Sequence, residues 1–119
     1  MARIFVQIVT GPENPTRAAL GLLIARAAVE DGHELTLFLA GDAVDFLRPE
    51  TADAAHGVGL GSVAEHLGAI RAAGGPIHAS GMSSKARGID ASVAGEGVQM
   101  SRPQDVVALA TAADTVLIY

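Results

Sequence analysis

The sequence predicts an α/β domain: a mostly parallel sheet of five strands with helices over both faces. Three observations carry that prediction. Short apolar, β-branched runs alternate with longer alanine-rich stretches along the 119 residues, the pattern of strands joined by helical crossovers. Half of the residues are hydrophobic and 18% are charged. A chain of this size exposes roughly 6,000 Å² folded against roughly 17,000 Å² unfolded, which is enough burial for one core. No repeat, low-complexity tract or linker interrupts the chain, so residues 1–119 read as one domain.

Each element has its own signal. Arg3–Val9 is a continuous apolar run and reads as a buried first strand. Asn14 followed by Pro15 is a cap and first-turn pair. The helix it opens should run to about Asp31 and stop at Gly32. Its apolar residues, Leu20, Leu22, Leu23, Ile24 and Val29 among them, make a stripe wide for a helix covering one surface. His33–Ala40 reads as the second strand, Ala43–Leu47 as a short helix and Glu50–Gly61 as a loop. Ser62 and Glu65 have capping-box spacing, opening a helix through about Ala73. Pro76–Ala79 reads as the third strand, Ser80–Gly88 as a turn and short helix, and Gly97–Met100 as the fourth strand. Ser101 and Gln104 have the same capping spacing, and Thr115–Tyr119 reads as the fifth strand.

Composition excludes several function classes. The chain has no cysteine, which removes disulfide scaffolds, thiolate zinc sites, iron–sulfur clusters and thiol chemistry on this chain. With 3% aromatic residues, no Trp and a net charge of −5, it lacks the stacking platforms and basic stripe of a nucleic-acid binder. Leu20–Val29, interrupted by Arg26, falls short of the ~20 apolar residues of a membrane span. The expectation is a soluble, cytoplasmic protein with no nucleic-acid or membrane partner and no cofactor.

Ligands of open parallel sheets bind at the carboxyl ends of the strands. That rule selects Thr10–Asn14, Gly41–Asp42, Ser80–Arg87 and Ser101. The third segment combines hydroxyls, backbone N–H groups and two cations, Lys85 and Arg87, and suits a small anion. The plainer reading has Ser80 or Ser83 capping the helix with Lys85 and Arg87 solvated. The candidate ligand-binding residues are Thr10, Gly11, Asp42, His78, Ser80, Gly81, Ser83, Ser84, Lys85 and Arg87. His78 and Ser80 share a strand face, and Asp42 would complete a serine–histidine–aspartate set. No Gly-x-Ser-x-Gly elbow supports it. His33, His56, His66 and His78 show no tight metal-ligand spacing. His56 and His66 are expected in solvent. Met82 and the Gly57–Gly61 stretch read as packing and loop.

The order of elements, the length and two stretches resemble the DsrE/DsrF-like family, with its YchN-like fold. The stretches are Gly75–Ile89, with Lys85, Arg87 and Gly88 matching the family's pattern, and Ser101–Tyr119. The resemblance implies a three-layer α/β/α sandwich that assembles into homo- or hetero-oligomers, often trimers or hexamers. It also implies a sulfur relay through a persulfide on a loop cysteine. Here the positions matching a Cys-x-x-Cys pair are Ser80 and Ser83, and a serine hydroxyl is far less readily ionised than a thiol. Sulfurtransferase and peroxiredoxin chemistry are therefore not expected of this cysteine-less member.

The expectation that follows is a non-catalytic module that binds a small anion or a partner, in a homo-oligomer. Two alternatives stay open. One is an enzyme using serine, His78 or Lys85 at the same loop, with His78 or Asp42 in reach of Ser80 or Ser83. The other is an inactive subunit of a sulfur-relay complex.

Overall fold

In the computed structural model, which describes residues 1–119, five strands form one sheet. They are β1 (Arg3–Ile8), β2 (Glu34–Leu39), β5 (Ile77–Ser80), β6 (Val98–Ser101) and β7 (Thr115–Ile118). Their order is β6-β5-β2-β1-β7, and every neighbouring pair is parallel. A separate two-residue hairpin holds β3 (His56–Gly57) and β4 (Gly61–Ser62).

The chain steps from β1 through β2 and β5 to β6 in one direction. Right-handed crossovers then place the connecting helices on one face. The last connection, α6 (Pro103–Ala112), runs back across the sheet to β7 and so covers the opposite face. Its Val106 shares a groove with Phe38, and its Leu109 shares another with Thr36. Both sheet residues point away from the main core. The architecture is thus the expected α/β/α sandwich, with the sheet wholly parallel.

The first face is closed. Val6, Ile8, Leu35, Leu37, Leu39, Ile77 and Ala79 alternate inward from the strands into a core of 23 buried residues. Over them lie α1 (Pro15–Glu30) and α3 (Val63–Ala72). The buried side of α1 consists of Leu22 among five small residues, Ala18, Ala19, Gly21, Ala25 and Ala28, which let the helix axis approach the sheet closely. A Cβ on Gly21 would lie 2.9 Å from Cβ of Tyr119 and 3.1 Å from Cδ1 of Ile8. Only glycine fits where α1 passes the end of β7.

The second face is less complete. Phe5 and Phe38 pack there with ring centroids 6.3 Å apart, both buried yet outside the main core. No residue of α6 is fully buried. Val116 and Ile118, in register with Phe5 and Gln7, are 42% and 62% exposed.

Local signals set most boundaries. Asn14 accepts a hydrogen bond from the Arg17 N–H at 3.2 Å, and Ser62 accepts one from the Glu65 N–H at 3.0 Å. The Glu65 carboxylate turns to Arg26, 3.6 Å away.

Met82, expected to pack, is 72% exposed, and four expectations about the elements change. Glu50–Gly61 is not a plain loop, because α2 (Pro49–Ala54) occupies its first half and the small hairpin its second. Pro49 at the first turn starts that helix and Ala52 anchors it in the core. The Ala43–Leu47 segment is a 3-10 helix beginning at Gly41. The cap of α6 is Arg102, whose N–H donates to Asp105 at 2.9 Å, rather than Ser101. Ser101 is instead the last residue of β6. A single turn, α5 (Ala91–Ala94), capped by Asp90, fills the connection before β6. No helix is long and apolar enough to cross a membrane.

Candidate functional site

The parallel register brings the ends of β1, β2, β5 and β6 to one edge of the sheet, and the predicted loops meet there. Behind β5 lies α4 (Gly81–Ala86). Ser80 caps it, its Oγ accepting from the Ser83 N–H at 3.1 Å. The Ser83 Oγ in turn accepts from the Gly41 N–H at 3.0 Å, tying α4 to the loop after β2. Gly11, in the loop after β1, is pressed against Asp42, and a Cβ there would collide with the Asp42 carbonyl. The N–H of Gly11 donates to the Glu13 carboxylate at 2.7 Å, and Thr10 beside it is buried.

Arg87 binds this edge together. Its Nη2 donates to Oδ1 of Asp42 at 2.6 Å, its Nε lies 3.5 Å from Oδ1 of Asp45, and its Nη1 reaches the Ser83 carbonyl at 3.4 Å. Arg48 donates to the Arg87 carbonyl at 3.0 Å. Thus Arg87 is neither solvated nor a free anion ligand, since two carboxylates already compensate its charge. Lys85 is exposed and makes no ion pair. Asp45 and Arg48 contact Arg87 across about forty residues of chain, a separation that no local motif signals.

His78 and Ser84 leave the cluster. His78 lies on the second face, as its alternation with Ala79 requires. Its Nδ1 is 3.2 Å from Oγ of Ser101, the next strand's last residue. Burial holds the His78 pKa below its ordinary value, against an opposing pull from the Asp105 charge. The Asp105 carboxyl is itself held low, chiefly by its hydrogen bond to Arg102. Neither His78 nor Asp42 reaches Ser80 or Ser83. The hydroxyl partner of His78 is Ser101, and the partner of Asp42 is Arg87. Beside His78, Phe38, Ala40, Ser80, Ser101, Pro103 and Val106 line a mainly apolar groove of about 280 Å³. Ser84 is buried on the inner side of α4, and its Oγ has no hydrogen-bond partner.

The remaining histidines are placed differently. His56 is exposed as expected, but His66 is 3% exposed. Its Nε2 lies 2.6 Å from the Leu60 carbonyl, and Arg26 lies 3.4 Å from its Nδ1. The inner face of α3 buries it, an effect of helix phase on a polar residue that can satisfy both ring nitrogens.

A model of the DsrE/DsrF-like family matches residues 2–119. The chain belongs to the DsrE/DsrF-like family. Its fold is similar to that of the YchN protein from E. coli, with a TM-score of 0.83, 22% identity and 100% of each chain covered. It is also similar to a conserved protein of unknown function from Bacteroides thetaiotaomicron, with a TM-score of 0.74 and 14% identity over 99% of this chain and 95% of that one. No curated protein matches. Within this DsrE-like frame, the absence of cysteine leaves hydroxyls, not thiols, at the carboxyl edge of the sheet.

Proposed function

We propose that this DsrE-like chain is a non-catalytic binding and assembly module. One observation carries the reading: the two hydroxyls at the Cys-like positions are structural. Ser80 caps α4, and Ser83 ties it to the Gly41 loop. With Arg87 compensated by Asp42 and Asp45, the edge is a self-supporting scaffold rather than an open reaction centre. The natural partner is a second copy of the chain, in a trimer or hexamer. Val116 and Ile118 on β7 and Val107 on α6 leave apolar surface in water on the less complete sheet face. Leu20 on α1 is a further exposed apolar residue, on the helix layer of the other face. The site of action is the cytoplasm. Light scattering at micromolar concentration tests the reading. The expected mass is three or six times that of the chain, and a monomer would sink it. Inorganic sulfate is then expected to leave the Tm unchanged, because Arg87 is compensated and the Ser80 and Ser83 hydroxyls are engaged.

A second reading, a serine–histidine enzyme, is favoured by the Ser101–His78 contact at 3.2 Å. Labelling by a fluorophosphonate that disappears in Ser101→Ala would support it. An unlabelled wild-type chain would leave the binding module.

A further inference from the structure

A cavity of about 370 Å³ opens beside α4, walled by Ser84 and Lys85 on one side and by Ile89, Ala91 and Met100 on the other. Neither Arg87 nor Asp42 lines it, so it is separate from the loop scaffold above. Ser84 is 1% exposed, and its Oγ is the one buried side-chain polar atom in the chain that has no partner. Folded proteins rarely keep such a hydroxyl unpaired without a reason. The next residue, Lys85, is a cation with no ion pair. Two donors, one neutral and one charged, therefore stand on consecutive residues beside an apolar wall. That is the pattern of a small-molecule pocket, apolar in most of its lining with a few convergent polar groups. Asp90 also stands at the rim, its Oδ1 accepting from the Val93 N–H at 3.0 Å and from the Ser92 hydroxyl at 2.8 Å. These bonds hold its carboxyl below the usual range, so it opposes negative charge on a ligand, and a dianion more strongly than a monoanion.

We propose that this cavity binds a short-chain monocarboxylate. Its alkyl body would lie against Ile89, Ala91 and Met100. Its carboxylate would accept the Ser84 Oγ–H and face the Lys85 ammonium. No covalent step is involved, and the assembly reading stands or falls separately.

The test is a titration of the wild-type protein with acetate, butyrate and hexanoate, and with 1-hexanol as the uncharged probe, followed by backbone amide chemical shifts. The expected result is saturable shifts confined to Gly81–Ala91 and Met100, with affinity rising about fourfold per added methylene until the cavity is full. Lys85→Ala should weaken hexanoate several-fold and leave hexanol unchanged. Ser84→Ala should weaken hexanoate about fivefold and raise the ligand-free Tm, because an unpaired hydroxyl has been removed. No saturation, shifts elsewhere or no chain-length dependence would overturn the proposal. Hexanol binding as tightly as hexanoate would do the same. So would a lower Tm in Ser84→Ala, since it would mean that the hydroxyl already has a partner. Lys85 is exposed, so Lys85→Ala keeps the test decisive even if Ser84→Ala does not fold.

Discussion

The two faces of the sheet are built from the same strands and end in different states. On one, alternating Val, Leu and Ile side chains meet α1 and α3 and disappear from solvent. On the other, one ten-residue helix crosses the sheet, buries Phe5 and Phe38, and leaves β7 apolar and wet. The asymmetry follows from topology, because three crossovers proceed in one direction and only the last returns. It teaches that the closed face holds the chain folded, while the open face leaves apolar side chains in water.

Four perturbations would sharpen or break that contrast. The largest effect is expected from Leu37→Ala, at the centre of the closed face and 0% exposed. It should destabilise the fold by about 2–5 kcal/mol in urea unfolding. A loss under 1 kcal/mol would mean that this face is not the chief source of stability. Next is Asp42→Ala, which removes the partner of Arg87 at the loop edge. The pair is partly exposed, so a double-mutant cycle with Arg87→Ala should give a coupling of up to about 1 kcal/mol. Zero coupling would show that the Asp42–Arg87 pair contributes nothing to holding the loops together.

Ile118→Ser, on the open face, should change monomer stability by less than about 0.5 kcal/mol yet lower the mass seen by light scattering. An unchanged mass would move the interface off β7. The smallest effect concerns His78. Burial lowers its folded-state pKa, so the unfolded chain takes up a proton first as pH falls below about 6.5. Its contribution is therefore present above that pH and lost as pH falls towards the folded-state value. Chemical denaturation across pH 7.5 to 5 should show a shallower decline in His78→Gln than in wild type. Equal slopes would remove His78 from the pH response.

Much of this molecule is legible in short stretches of sequence. Alternation within β1 and β2 assigns each residue to a face, and Asn14–Pro15 and Ser62 announce helix starts through bonds that span three residues. The absence of cysteine decides against thiol chemistry without any structure. The loops that would form a site were also identifiable, because strand ends in a parallel sheet converge. What those loops do with their side chains was not. The cations of Ser80–Arg87 suggest an anion opposite Arg87, yet its partner is Asp42, 45 residues earlier. His66 lacks any local sign of burial, yet α3 turns it inward.

The sequence by itself determined the alternation of strands and helices, most element boundaries and the lack of thiol chemistry, because those depend on periodicity and on caps a few residues apart. Only the tertiary structure decided which face α6 covers, that His78 meets Ser101 across β5 and β6, and that the hydroxyl of Ser84 is left alone beside a cavity. Each of these follows from the relative placement of segments far apart in the chain. Register and crossover direction set that placement, and no local pattern encodes it.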